Sequence, residues 1–513
     1  MTLLTFTNRF TSELPGDRET KSYSHQVMNA CWSAVNPTPV HQAKLIAYSA
    51  EVAQMLGLSD QTMRSETLLQ ILAGNKQQPN MKPYATCYGG HQFGHWAGQL
   101  GDGRVIFLGE IKNQAGHYYE LQLKGAGPTP YSRNSDGRAV LRSSLREFLC
   151  SEAMHHLGIP TTRALSLVST GDAVMRDMFY DGNPVAEPGA IVCRVAPSFL
   201  RFGHFEIFAV RGEQKLLSQL IEFTLAHYFP HYSIAEFFVE VCRRTAYLIA
   251  QWIRVGFVHG VMNTDNMSIL GLTIDYGPYG WIDNFDLNWT PNTTDAKTHR
   301  YCFGRQMEIA RWNVQQLGST LMTLSFNQKD LEAGLAEFDI TYQQELEKVL
   351  LGKFGLLQWQ ENDSVLLNEI FQLMQQAEID MTDFFRCLAK IDVDSPNSEI
   401  LTSAFYDEAL KQQFLSPINA WLISYADRLK QDSELTEQRI TRMNQFNPRF
   451  VLRNYLAQQA IDLAEQGDYQ MLNDLLETLR KPYDEQPERK AFSEKRPEWA
   501  KHKAGCSMLS CSS

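Results

Sequence analysis

What this chain of 513 residues lacks narrows its class. No run approaches the ~20 consecutive apolar residues of a membrane-spanning helix. Residues 1–19 have neither a basic stretch leading into an apolar core nor the acid-poor composition of a transit peptide, so no targeting segment is expected. Cations are the minority, 47 Lys and Arg against 58 Asp and Glu, for a net charge of −11 and a pI near 5.7. Wholesale binding to nucleic acid or to an anionic membrane is thereby excluded, because counterion release needs a basic surface. Any anion site must be local. The nine cysteines are odd in number and scattered, and seven sit singly in apolar contexts, as core thiols in a reducing compartment do. Cytoplasmic residence is the simplest expectation, and there is no internal repeat.

With 44% hydrophobic and 20% charged residues, the chain can bury enough core for two or more subdomains. Residues 1–80 read as a helical extension: Leu45, Ala47, Ala50, Val52 and Leu56 fall on helical spacing, and residues 67–73 add a short turn. Residues 81–210 begin with Gly-rich turns and alternating strands, Val105-Ile106-Phe107-Leu108 and residues 118–124, followed by a helix over 141–157. Residues 211–327 open with long apolar helices ending at Gly256. Residues 328–480 are mostly helical without a chemical motif. Residues 481–513 are polar, Lys- and Glu-rich, with too little apolar content to pack as a domain.

The chemistry is concentrated in His259-Gly260-Val261-Met262-Asn263-Thr264-Asp265-Asn266, followed nine residues after Asn266 by Asp275-Tyr276-Gly277. Protein kinases carry H-R-D-L-x-x-x-N and then D-F-G, where the first Asp orients the acceptor hydroxyl and the Asn and second Asp hold magnesium. Aligning His with His and Asn with Asn puts Val261 in the place of the first Asp. Valine accepts no proton, yet both metal ligands, Asn266 and Asp275, are present. Asp265, beside Asn266, is the carboxylate able to take over that task.

Four upstream pieces follow in kinase order. Gly98-Gln99-Leu100-Gly101-Asp102-Gly103-Arg104 is a Gly-rich turn whose amides could approach phosphate, helped by the Arg104 guanidinium. Lys124 ends a strand in the manner of the phosphate-gripping V-A-I-K lysine. Glu147, 23 residues on, suits an ion pair with Lys124. Arg194 and Arg201, seven apart around an apolar segment, have no counterpart in ordinary kinases and offer forked donors for phosphate.

Tyr88-Gly89-Gly90-His91-Gln92-Phe93-Gly94, the stretches at 122–133 and 135–144, Arg194 to Arg201, the 259–266 segment and the terminal Cys511-Ser512-Ser513 together resemble the selenoprotein O family, in bacteria also called YdiU. The resemblance covers nearly the whole chain. It implies an α+β, protein-kinase-like bilobal fold with N- and C-terminal helical extensions, which transfers AMP from ATP, or UMP from UTP, to Ser, Thr or Tyr hydroxyls of proteins, itself included, with release of pyrophosphate. It assigns nucleotide contacts to Gly101, Gly103, Arg104, Lys124, Asp136, Gly137, Arg194, Arg201 and Asp275, and Mg2+ or Mn2+ to Asn266 and Asp275. Asp265 becomes the proton acceptor and Glu147 the partner of Lys124. The nucleotide is held in reverse, its α-phosphorus toward the metals. The family also implies redox control through the position of Cys511, with Cys302 or Cys506 as the pairing candidate here. The partners expected are acceptor proteins, with no nucleic acid and no membrane, and a monomer is the default. Two alternatives use the same pocket: a kinase moving the γ-phosphoryl group, and a silent nucleotide-binding pseudokinase.

Overall fold

In a computed structural model, which describes residues 4–19, 21, 23–178, 181–506 and 508–510, the alternating segments assemble into one antiparallel sheet. Its strands are β1 (Trp32–Ala34), β2 (Lys44–Tyr48), β3 (Tyr84–Thr86), β6 (Val105–Lys112), β7 (Tyr118–Lys124), β8 (Ala139–Val140), β9 (Arg163–Arg176) and β10 (Val185–Ala196). They lie in the order β1-β3-β6-β7-β10-β9-β2, with β8 on β10. A separate hairpin, β4 (Gly89–Gln92) with β5 (His95–Gln99), precedes the Gly-rich turn.

Period-two alternation decides which residues face the site. On β7 and β10 the odd-numbered Leu121, Leu123, Ile191, Cys193 and Val195 pack against an outer layer formed by the first 73 residues. The even-numbered Gln122, Lys124 and Arg194 therefore point the other way, toward the helix Leu141–His156, and the register sets Arg194 opposite Gln122.

Below the sheet lies a helical lobe of Phe202–Val210, Gln214–Tyr228, Ile234–Val255, Gln306–Leu321 and Gln328–Phe354. Helix Ile234–Val255 starts in a capping box, Ser233 with Glu236, and stops at Gly256 in the left-handed region (φ 76°). That stop turns the chain into β11 (Phe257–Val258), which pairs with β12 (Gly280–Trp281) and so frames residues 259–279 as a loop between two short strands. Further on, Phe354, Trp421 and Tyr425 centre a second helical core. Helices Asn454–Ala464 and Gln470–Leu479 return to pack on Leu141–His156, so one core cluster runs from the upper lobe to Cys506. A buried ion cluster fastens these parts: Arg453 Nη1 lies 3.1 Å from Asp283 and 2.7 Å from Asp380, and Arg496 lies 3.4 Å from Asp283.

The mixed α+β architecture is the expected one; the strand read at 105–108 forms and runs on to Lys112, the strand at 118–124 forms, and the helix read over 141–157 spans Leu141–His156. Two parts differ. Residues 41–58, read as helical, form strand β2 and then the short helix Ala50–Met55, because Lys44–Tyr48 pairs with β9 and Ile46 and Tyr48 suit a pleated surface better than an isolated helix turn. The first 80 residues thus supply β1 and β2 to the main sheet and are more than a helical extension. The tail also packs: Ala500, Cys506 and Leu509 are buried, and Leu509 N–H donates to Pro291 O at 2.9 Å while its carbonyl accepts from Thr293 N–H at 2.8 Å. Its order comes from docking on the rest of the chain, which local composition does not report. Among the described residues no helix is long and apolar enough to cross a membrane.

Glu120, buried opposite Glu110 between β7 and β6, accepts the Phe199 N–H at 2.8 Å, and burial pushes its carboxyl up to about 8 against that bond. A folded-state value raised above the unfolded one favours the protonated fold, so this contribution is complete below about 4.5 and fades as pH rises through about 8. Melting curves at pH 6 and 8.5 are expected to show a larger drop for the native chain than for Glu120→Gln; equal drops contradict the assignment.

Candidate active site

Between the sheet and the helical lobe lies a cleft of about 590 Å³, lined by Gly101, Gly103, Arg104, Lys124, Asp136, Gly137, Arg194, Asp265, Asn266 and Asp275. Its volume is of the size that takes a nucleotide. Arg201 is buried just behind this lining.

At the inner end, Lys124 Nζ meets Glu147 Oε2 at 2.5 Å, joining strand β7 to helix Leu141–His156. Burial lowers the Lys124 pKa and the Glu147 charge offsets part of that. Glu147 Oε1 also receives Arg194 Nη1 at 3.0 Å, and Arg194 Nη2 donates to Gln122 Oε1 at 2.6 Å. Asp275 sits between the two arginines: Arg194 donates to its Oδ1 and Arg201 to its Oδ2. Burial pushes its carboxyl up, but Arg201 and Arg194 outweigh this and hold it well below the usual range. Arg201 Nη1 also donates to the Asp265 carbonyl at 2.8 Å and its guanidinium lies over the Tyr88 ring. Three buried cations are thus in direct contact with only two carboxylates.

The catalytic segment is stapled from within. His259 is buried and stacks on Trp252; its Nε2 lies 2.8 Å from Ile274 O and its Nδ1 faces Val261 N–H, which fixes Nε2 as the protonated nitrogen. This ties the start of the segment to the residue before Asp275, whose own backbone is left-handed (φ 55°). Val261 offers no polar side chain, but its carbonyl accepts Asn266 Nδ2 at 2.9 Å and so leaves the Asn266 carbonyl oxygen for other partners. Asn266 and Asp275 are hard oxygen donors on one cleft, a set that suits Mg2+ or Mn2+. Asp265 is buried, burial pushes its pKa up to about 7 against the pull of Arg201, and its Oδ1 has no hydrogen-bond partner among the described residues.

At the outer end Asp136 is gripped by Arg176, with Nη1 and Nη2 at 2.9 and 2.8 Å, a fork that lowers its pKa. Gly137 is left-handed (φ 66°) and a Cβ there would run into the Gly127 carbonyl. Gly101 is likewise left-handed and pressed against the Tyr131 ring. The Gly-rich turn departs from the expected phosphate cradle. The amides of Leu100 and Gly101 both donate to Tyr88 O, that of Asp102 to Thr86 O and that of Gly103 to Gly101 O, so the turn's own carbonyls and β3–β4 already take these donors. In this turn the Arg104 side chain is the donor left facing the cleft.

The structure therefore gathers all of Lys124, Glu147, Arg194, Arg201, Asp265, Asn266 and Asp275 at one end and Arg104, Asp136 and Gly137 along the same cleft. Three groups escape a reading of the sequence: Arg176, Gln122, and the β4–β5 hairpin lying on the catalytic segment. Only the period-two alternation on β7 could have singled out Gln122. Of the cysteines, Cys302 and Cys506 are buried and free, and burial pushes the Cys506 thiol up to about 11. Cys511 lies outside the described residues.

A family model described as "Protein adenylyltransferase SelO" matches residues 18–480. Proteins named "Protein nucleotidyltransferase YdiU" from Methylobacillus flagellatus and Tolumonas auensis are 61% and 59% identical, each aligned over 100% of both chains. Among solved structures, ROP2 from Toxoplasma gondii, titled a virulence factor with a protein-kinase fold and no enzymatic activity, matches with a TM-score of 0.25 and 12% identity over 63% of this chain and 97% of its own. That score is too low to carry weight. The kinase-like arrangement rests on the lysine strand, the glutamate helix and the framed 259–279 loop.

Truncating Glu147 would leave Lys124 and Arg194 buried without their shared anion. Removal of one partner from such a cluster costs about 3–5 kcal/mol. Denaturant unfolding of Glu147→Ala is expected to show a loss of that order, with a smaller loss for Glu147→Gln; an unchanged midpoint contradicts it.

Proposed function

The chain belongs to the protein adenylyltransferase SelO family, and from that premise we propose how its cleft performs nucleotide transfer. It is an enzyme of the nucleotidyltransferase class, moving AMP from ATP onto protein. In our reading residues 81–210 and 211–327 supply the two lobes of the catalytic unit. The observation that carries the residue assignment is Asp265: a buried carboxylate on the cleft lining directly before Asn266, whereas kinases have their base five residues before that Asn, at the position of Val261.

An acceptor hydroxyl, from Ser, Thr or Tyr, gives its proton to Asp265 as its oxygen attacks the α-phosphorus. The bond from that phosphorus to the bridging oxygen of the β-phosphate breaks. Pyrophosphate leaves with the electron pair, and AMP stays on the acceptor. Lys124, Arg194 and Arg201 are the donors that meet the charge growing on pyrophosphate, since three cations held by two carboxylates leave positive charge unspent at that end. Asp136, Gly137 and Arg104 then contact the nucleotide nearer the cleft mouth, with Arg176 holding Asp136 in place. Asn266 and Asp275 would hold Mg2+ or Mn2+, which when bound neutralises phosphate charge and aligns the reacting oxygens. Arg194 and Arg201 restrain Asp275 before the nucleotide arrives, and the phosphates draw their free donors away.

The finer assignments belong to the same reading: UTP as a second donor, self-modification, an acidic monomer of the cytoplasm, and a tail whose Cys511 pairs with Cys302 or Cys506 under oxidation. The docking of Leu509 on residues 291–293 brings the tail onto the segment that leads to Cys302. A γ-phosphoryl kinase lacks support, because the pocket's excess positive charge lies beside the metal ligands at the inner end.

Incubation with α-labelled or γ-labelled ATP and either metal separates these outcomes. Label is expected on protein from the α-position only, as an intact-mass increase of one AMP. It should vanish in Asp275→Ala and fall by about 10²–10⁴-fold in Asp265→Asn. Label from the γ-position alone overturns the proposal.

A further inference from the structure

The β4–β5 hairpin rests directly on the catalytic segment, and glycines mark how closely. A Cβ at Gly90 would come 2.7 Å from Asp265 Oδ1 and 2.9 Å from its Cβ, and one at Gly203 would strike the Gly89 carbonyl. No side chain intervenes between the hairpin backbone, the first turn of helix Phe202–Val210 and the 3-10 turn Thr264–Asn266.

One hydroxyl links the three. Thr264 Oγ1 donates to Glu206 Oε2 at 2.7 Å and accepts the His91 N–H, also at 2.7 Å. Glu206 is buried on helix Phe202–Val210, five residues after Arg201, and its Oε2 also lies 3.3 Å from His91 Nδ1. The next hairpin residue, Gln92, directs Nε2 to Asp265 Oδ2 at 3.4 Å. Both oxygens thus meet the hairpin: Oδ1 is buried against the Gly90 backbone with no hydrogen-bond partner among the described residues, and Oδ2 takes the Gln92 amide, which itself lines the cleft. A buried carboxylate free to rotate would present either oxygen. One with Oδ1 packed on the Gly90 backbone and Oδ2 met by the Gln92 amide at the cleft lining presents Oδ2 in a fixed direction, which is what a proton acceptor needs.

We propose that Thr264, Glu206 and Gln92 are positioning residues for Asp265: Glu206 anchors the Thr264 hydroxyl, Thr264 holds the hairpin at His91, and Gln92 on that hairpin orients the Asp265 carboxylate toward the acceptor hydroxyl. This rests on the assignment of Asp265 as proton acceptor. It makes a distinction that simple packing does not. Gln92 meets the Asp265 carboxylate, Thr264 meets Glu206, and the hydrogen bonds given for the three reach none of the cations assigned to the phosphates, so their loss should slow transfer without weakening ATP. Supporting residues of this kind typically account for ~10–100-fold.

The test compares the full chain with Asp265→Ala, Thr264→Val, Thr264→Ser and Gln92→Ala. It measures incorporation of label from α-labelled ATP, ATP affinity by displacement of a fluorescent analogue, and the melting curve. Thr264→Val is expected to lower kcat by about 10–100-fold with ATP affinity within about twofold of the native chain, and Thr264→Ser to recover most of the rate. Gln92 is half-exposed, so Gln92→Ala keeps the fold and should show the same split, at about tenfold, even if Thr264→Val melts early. If Asp265→Ala abolishes labelling while Gln92→Ala and Thr264→Val transfer at the native rate, or lose ATP affinity in step with rate, the positioning role is wrong and the proton-acceptor assignment stands. If Asp265→Ala still transfers at the native rate, that assignment fails and the positioning role with it.

Discussion

Everything in the cleft depends on one buried charge imbalance. Lys124, Arg194 and Arg201 are held by Glu147 and Asp275, three cations on two anions in a setting where water screens poorly. Each carboxylate is shared, so the cluster is satisfied only as a unit, and it closes strand β7, strand β10, the Leu141–His156 helix and the loop before Gly277 onto one another. Left alone, such a cluster has unused donors; Arg194 Nε and Arg201 Nε have no partner among the described residues. In the proposed reading a polyphosphate is the ligand that completes it. The fold around the cluster can be understood as the means of building it: alternation on two strands puts Gln122, Lys124 and Arg194 on one face, and the β11–β12 frame delivers Asp275 from the other side.

Charge and proton chemistry are kept at separate corners. Arg201 touches both, through the Asp275 carboxylate and the Asp265 carbonyl, yet it grips Asp265 only by its backbone. The Asp265 side chain faces the hairpin instead. On the proposed assignment, moving the base from the position of Val261 to Asp265 therefore changes which element supports it. That support is a strand hairpin whose backbone approaches Asp265 at Gly90 and helix Phe202–Val210 at Gly203.

The sequence made legible whatever is local or repeated. Lys124 at a strand end, Glu147 on the next helix and the 259–277 segment carry their identity in residue type and spacing; Lys124 and the segment line the cleft and Glu147 is buried behind Lys124. Contacts across long separations were not legible. His91 and Thr264 are 173 residues apart, and nothing in either neighbourhood marks the pair. Arg453 meets Asp283 across 170 residues for the same reason. The Gly-rich turn misled in a different way: its glycines suggested free amides, but Gly101 is glycine because Tyr131 leaves no room and because the backbone is left-handed there. Residues 44–48 were misread because helical spacing and a two-residue alternation coincide over so short a run, and the β9 edge decides between them. The tail's order depends on docking against Pro291 and Asp283, partners that a composition count cannot see.

The central claim is that the buried cations take the departing phosphates, so that the phosphorus bonded to the ribose oxygen is the one presented to Asp265. A structure of the chain with a non-hydrolysable ATP analogue and Mg2+ or Mn2+ tests this directly. The account predicts the α-phosphorus beside Asp265, Asn266 and Asp275, the β- and γ-phosphates on Lys124, Arg194 and Arg201, and the nucleoside extending toward Asp136. A γ-phosphorus next to Asp265, with the base buried at the inner end, would contradict it.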